Sequence, residues 1–252
     1  MNILITGATA GFGKAIAELL IANGHTVIGT GRRHAKLDEF AQQFGSQFIP
    51  LAFDIADLAA TKAALASLPA DFLANLDVLI NNAGLALGLT SADTADFADW
   101  QQMIHTNVMG LAHMTHAILP YMTAKNSGYI INIGSIAGNY AYFGSNVYGA
   151  TKAFVKQFSL NLRADLIGKN VRVTNLEPGL CGGTEFSNVR FKGDDTRAAA
   201  VYEGVEYVTP LDIANIVGWL IEQPPHININ VLEVMPTAQT FAGLKVVKDL
   251  QG

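Results

Sequence analysis

Met1-Asn-Ile-Leu-Ile-Thr-Gly-Ala-Thr-Ala-Gly-Phe-Gly13 opens the chain and decides how the rest is read. Ile3-Leu4-Ile5 is a short apolar, β-branched run that ends in glycine, as a buried parallel strand does. Gly7, Gly11 and Gly13 follow in a Gly-xxx-Gly-x-Gly spacing, and an apolar periodicity predicts a helix from Gly11 to Asn23. Glycines at a strand-to-helix turn permit a tight bend and a close approach of backbone to ligand, while the amides of the helix start face a pyrophosphate. Gly7, Thr9, Gly11, Phe12 and Gly13 are therefore the phosphate-turn candidates.

Outward from this turn, strand-like runs recur at Thr26-Val27-Ile28, Phe48-Ile49, Val78-Leu79-Ile80, Tyr129 to Ile133, Val171-Arg172-Val173 and Asn230-Val231-Leu232. Helical patterns separate them at Ala35 to Phe44, Leu58 to Leu68, Phe97 to Lys125, Asn146 to Ile167 and Leu211 to Glu222. The alternation predicts an α/β fold: a single-domain Rossmann architecture, doubly wound, with a mostly parallel seven-stranded sheet and helices on both faces. Residues 179–208 lapse into glycines and polar residues around a short alanine-rich piece, a length that marks a lid or binding loop. No repeat or composition shift divides residues 1–252, so one catalytic domain is expected.

With 252 residues, 50% of them hydrophobic, the chain can bury a large core. Only 15% are charged and the mean hydropathy is +0.27, so part of the surface is expected to be covered by identical subunits. A net charge of -5 and a pI near 5.6 offer no broad attraction for nucleic acid or anionic lipid, and neither is an expected partner. Cys181 stands alone, which excludes an internal disulfide or a multi-thiolate zinc site and suits a reducing, cytoplasmic setting. The start of the sequence lacks the pattern of a secretory signal, and no apolar stretch is long enough to span a bilayer.

The second strand runs into Thr30-Gly31-Arg32-Arg33. An NAD site would present a carboxylate to the ribose hydroxyls there; two guanidinium groups instead suit a ribose 2′-phosphate, so the expected cofactor is NADP. Asp54, just after the third strand, either bonds the adenine or caps a helix, and Ile55 beside it joins the cofactor candidates.

Tyr148 and Lys152 lie four residues apart in a helical pattern and so share a face. A phenol is a poor base near neutral pH unless adjacent positive charge favours the phenolate, which the Lys152 ammonium would supply. Ser135 follows the strand Tyr129 to Gly134 at the end where open parallel sheets bind ligands; its hydroxyl either orients a reacting oxygen or starts a turn. Asn107, inside a helical pattern, either joins a proton relay or satisfies nearby backbone.

Together with Asn81-Asn82-Ala83-Gly84 and Pro178-Gly179, these motifs resemble the short-chain dehydrogenase/reductase family along almost the whole chain. The resemblance implies Tyr148 as general acid/base, Lys152 as the residue that lowers its pKa and holds the nicotinamide ribose, Ser135 as orienter of the substrate oxygen and Asn107 as a relay member. It implies cofactor contacts at Asn82, Ala83, Gly84, Pro178 and Gly179, no metal, and a homotetramer. The family's threonine soon after Pro-Gly is displaced, because Leu180-Cys-Gly-Gly183 precede Thr184, so that contact is less secure.

The stretch from Glu177 to Asp195 resembles more narrowly the NADP-dependent 3-hydroxy acid (serine or allo-threonine) dehydrogenases, also described as malonic semialdehyde reductases. A small carboxylate-bearing hydroxy or oxo substrate needs a cation, and Arg190 is the candidate, with Lys192 behind it; a lid arginine paired with Glu185 or Asp194 is the plainer alternative. Competing activities are reduction of a β-ketoacyl thioester or a xenobiotic ketone, and NADP sensing without chemistry. The tail from Leu232 to Gly252 is expected to pack on a neighbouring subunit.

Overall fold

The computed structural model describes residues 1–242, apart from the side chain of Ala70. The expected subunit packing of the tail falls in part on residues 243–252, outside the described residues. Seven strands, β1 (Asn2–Ile5), β2 (Thr26–Gly31), β3 (Phe48–Ala52), β4 (Leu76–Asn81), β5 (Gly128–Ile133), β6 (Val171–Pro178) and β7 (Val231–Val234), form one sheet in the order β3-β2-β1-β4-β5-β6-β7. Every pairing is parallel, so the sheet is wholly rather than mostly parallel. The strand order reverses between β1 and β4, which opens a crevice at their carboxyl ends.

The strands read as unbroken apolar runs because both faces are buried. Ile3, Ile5 and Val27 project one way onto Ile16 and Leu20 of α1 (Gly11–Ala22) and Val217 and Leu220 of the last helix. Leu4, Ile28, Leu79 and Ile130 project the other way onto Met114 and Ile118. Alternate side chains thus feed two separate cores. The remaining helices are α2 (His34–Phe44), α3 (Leu58–Ala66), α4 (Ala70–Ala74), α5 (Phe97–Ile104), α6 (Leu111–Lys125), α7 (Asn146–Asp165), α8 (Phe186–Arg190), α9 (Asp195–Ala200) and α10 (Pro210–Glu222).

Three segments differ from expectation. Phe97 to Lys125 is not one α-helix: a π turn, His105–Gly110, separates α5 from α6. Gly110 sits so tightly on Ile55 that a Cβ there would lie 3.0 Å from its carbonyl oxygen. Helix α3 stops at Ala66, and Pro69 then starts α4, because proline lacks the amide that would continue the first helix. The lid carries α8 and α9 and is pinned at its base, where Cys181 bridges Val208, Gly182 donates to the Val208 carbonyl at 3.1 Å and Val208 to that of Leu180 at 3.2 Å. Among the described residues no helix is long and apolar enough to cross a membrane.

Candidate active site

The glycine turn is a cradle that side chains would fill. Gly7 and Gly11 hold φ of +71° and +52°, the left-handed region that favours glycine. A Cβ on Gly13 would lie 2.2 Å from the Gly7 carbonyl oxygen and 2.5 Å from Asn82 Nδ2. Helix α1 starts at Ala10 with no side-chain cap, so its first amides remain for a ligand. Asn82 Nδ2 donates to the carbonyls of Thr6 (2.9 Å) and Gly7 (3.1 Å), while Thr6 Oγ1 accepts from the amides of Asn82 (3.0 Å) and Ala83 (2.9 Å). Thr6, not singled out from sequence, thereby stitches the ends of β1 and β4. Phe12 packs half-buried against the α1 core, and the Thr184 methyl covers the turn, 3.3 Å from where a Gly11 Cβ would stand.

At the end of β2, Arg33 donates through Nε and Nη2 to Thr9 Oγ1 (3.3 and 3.1 Å) and through Nη1 to both oxygens of Glu185 (3.0 and 2.9 Å). Arg32 lies 3.7 Å from Asp54. Asp54 closes its own turn, accepting from the Ala56 amide at 3.0 Å, and α3 is capped by Asp57 instead. The Ile55 side chain is turned into the core, so the cofactor contact expected of it is not a side-chain contact; packing under Gly110 holds it there. The uncapped helix start, the glycine cradle and paired guanidiniums fit a dinucleotide with an additional phosphate on its ribose.

Ser135 begins a short 3-10 turn after β5; its Oγ accepts from the Ala137 amide at 3.1 Å and donates to the Pro178 carbonyl at 3.4 Å. The Tyr148 phenol, 7% exposed, lies close enough to Ser135 for that hydroxyl to act on its titration. Burial raises the Tyr148 pKa strongly; the Ser135 hydroxyl and the Arg190 guanidinium pull it down, while charge on Tyr142 would oppose it. Lys152 Nζ donates to the Ile133 carbonyl at 2.8 Å and lies 5.9 Å from the Tyr148 ring, and burial brings its own pKa down to about 8. Gly179 donates to the Val234 carbonyl at 2.7 Å, and a Cβ on it would strike Gln239, whose Oε1 accepts from the Leu180 amide at 2.7 Å.

Asn107 sits on the π turn, 1% exposed, where Leu85 takes both ends of its amide at 2.9 and 2.8 Å and Thr151 Oγ1 accepts from Nδ2 at 3.1 Å. Its Oδ1 and Lys152 Nζ stand 3.3 and 3.5 Å from the missing Cβ of Gly84, so any side chain there would wedge between them. Beneath, Thr115 of α6, Asn81 of β4, Asn132 of β5 and Ser159 of α7 form a buried polar ladder with steps of 3.0, 2.8 and 2.8 Å. It fixes the mutual height of the elements that carry Asn107, Asn82, Ser135 and Lys152.

Over the site, Phe186 packs on Tyr148 with ring centroids 5.8 Å apart. Arg190 donates through Nη2 to the Tyr142 hydroxyl (3.0 Å) and through Nε to the Gly88 carbonyl (3.2 Å), with its guanidinium 5.7 Å from the Tyr148 ring. Among the described residues it pairs with no carboxylate: Glu185 is held by Arg33. Lys192 does not stand behind Arg190. It turns away to Asp99 (2.9 Å) and Asp96 (3.9 Å), fastening the lid to the start of α5. Burial pushes the Cys181 thiol up to about 12, which keeps it a packing group.

A wholly parallel sheet, a glycine phosphate turn at its first crossover and a serine–tyrosine–lysine group at its carboxyl edge define a class, and the chain belongs to it: the short-chain dehydrogenase family, whose profile, described as "short chain dehydrogenase", matches residues 1–195. A "Probable NADP-dependent dehydrogenase" of Haemophilus influenzae is 64% identical over 98% of this chain and 97% of its own. An "NADP-dependent 3-hydroxy acid dehydrogenase" of Salmonella typhi is 55% identical over 98% of this chain and 99% of its own. A solved structure titled as the closed form of serine dehydrogenase complexed with NADP+ superposes with a TM-score of 0.97 at 54% identity, covering 99% of this chain and 100% of that one.

Proposed function

We propose that the protein is an NADP-dependent oxidoreductase that oxidises short 3-hydroxy acids to 3-oxo acids and, in reverse, reduces a semialdehyde such as malonic semialdehyde. The observation that carries this reading is the Arg190 guanidinium, paired with no carboxylate among the described residues, 5.7 Å from the ring of Tyr148. Gly7, Gly11, Gly13 and the start of α1 would hold the pyrophosphate, Arg32 and Arg33 the 2′-phosphate, and Lys152 the nicotinamide ribose. When bound, the nicotinamide supplies hydride acceptance and donation. Ser135 donates to the substrate oxygen and sets its position beside Tyr148. In reduction the Tyr148 phenol delivers its proton to that oxygen; in oxidation the phenolate takes the hydroxyl proton away. Arg190 receives the carboxylate.

Residues 1–252 act as one catalytic domain in the cytoplasm, with residues 179–208 as the lid. Exposed Ile104, Met109 and Phe154 on α5, the π turn and α7 support a homotetramer. NADPH formation from serine, allo-threonine and 3-hydroxypropionate, and NADPH consumption with malonic semialdehyde, test the function; turnover only of neutral ketones or carrier thioesters would overturn it.

A further inference from the structure

We infer that Tyr142 completes, with Arg190, a two-donor carboxylate site that makes the enzyme select short hydroxy and oxo acids over neutral alcohols and carbonyls. The inference rests on the reading that Arg190 receives the carboxylate and adds a residue to it. Tyr142 lies in the irregular stretch between the 3-10 turn of Ser135 and α7, half-buried against the cluster of Leu85, Met103, Ala137 and Tyr148. Its hydroxyl accepts from Arg190 Nη2 at 3.0 Å. A hydroxyl that accepts from a guanidinium directs its own O–H elsewhere, so a donor is left for a second acceptor.

Arg190 cannot turn to meet a carboxylate outside this pocket. Its Nε is held by the Gly88 carbonyl at 3.2 Å, its own carbonyl accepts from the Gly88 amide at 2.9 Å, and its guanidinium lies 5.6 Å from the Tyr142 ring and 5.7 Å from the Tyr148 ring. A half-buried cation between the rings of Tyr142 and Tyr148, with no carboxylate paired to it among the described residues, calls for an anion from outside. That anion would stand between two donors, Arg190 Nη1 and the Tyr142 O–H, on the Tyr148 side of the pocket. The guanidinium that binds the Tyr142 hydroxyl thus also faces the Tyr148 ring. With the guanidinium 5.7 Å from the Tyr148 ring, the pair suits an acid that carries its reacting oxygen a short way from its carboxylate; Lys192, held by Asp99, adds nothing.

The test compares Tyr142→Phe with the native holoenzyme in oxidation of 3-hydroxypropionate and of its methyl ester. Loss of one donor to a charged group is expected to raise KM for the acid about tenfold, with a smaller change in kcat and less than about a twofold change in KM for the ester. An unchanged KM for the acid, or equal losses on acid and ester, would overturn the assignment. Tyr142→Gln, which keeps a donor without the ring, is expected to retain more of the acid preference than Tyr142→Phe, and serves should the latter not fold. Arg190→Met separates the two claims. Acid-selective loss there without any in Tyr142→Phe removes only Tyr142; equal effects of Arg190→Met on acid and ester remove the carboxylate reading itself.

Discussion

Arg33 and Glu185 close on each other across the cofactor turn, one guanidinium nitrogen reaching both carboxylate oxygens at 3.0 and 2.9 Å. Arg33 lies just past β2 and Glu185 just before α8, so the pair ties the end of β2, where we place the 2′-phosphate, to the segment 179–208. The side chains are 40% and 52% exposed, which limits the pair to about 1 kcal/mol. An incoming phosphate would meet the carboxylate as a repelling neighbour. Glu185→Gln is expected to tighten NADPH binding about threefold or more and leave NADH unchanged, whereas Arg33→Ala should weaken NADPH alone by about 10- to 100-fold. Fluorescence titration of both nucleotides checks this; equal effects on NADPH and NADH would refute it.

Removing one oxygen from the site tests the proton step. Tyr148→Phe is expected to cut kcat by about 10²- to 10⁴-fold in both directions, with the NADPH dissociation constant within about twofold of native. Retained turnover in stopped-flow or steady-state assays would refute the acid/base role.

Burial sets the pH dependence through two groups with opposite signs. Tyr148 is held protonated, so reduction, which consumes that proton, should stay level through neutral pH and fall only in alkali, while oxidation should rise with pH. For folding, Lys152 falls from 10.5 to about 8, so above pH 8 the native state has released a proton the unfolded chain keeps until 10.5. Apoprotein stability should therefore rise across that window relative to Lys152→Met. The raised phenol acts in reverse, lowering stability above its ordinary 10.0. Urea titrations of both proteins between pH 7 and 10 check the difference; parallel curves would refute it.

Gly13→Ala places a methyl group 2.2 Å from the backbone oxygen of Gly7, which cannot retreat without opening the turn. The expected cost is about 1–3 kcal/mol in urea melts, together with loss of NADPH binding. Native affinity in the variant would show that the turn does not cradle the nucleotide.

The fold was legible because both sheet faces are buried: strands such as Leu79-Ile80 and Ile130-Ile131 had to be apolar throughout, and helices had to alternate with them. The glycine turn and the Tyr148–Lys152 spacing were equally open to reading, since each depends on neighbours within a turn or two. What depends on distant partners was not. Glu185 meets Arg33 over 152 residues, and Tyr142 meets Arg190 over 48, with no periodicity to announce either. The π turn was hidden because nothing in the composition of His105 to Gly110 sets it apart from an ordinary helix, and the close seat of Gly110 on Ile55 joins residues 55 apart in the chain. The spacing of Tyr148 and Lys152 gives a shared helix face but not where the ammonium finds its acceptor; here that is the Ile133 carbonyl.

The bridge between Cys181 and Val208 gathers both ends of the lid at one point on the sheet's rim. Ser135 and Tyr148, to which we assign the reacting oxygen, belong to the scaffold inside that point, whereas Arg190 belongs to the loop outside it. Chemistry and choice of substrate are thereby carried on separable parts, and exchanging the tethered flap between relatives should transplant preference without touching the proton-transfer apparatus.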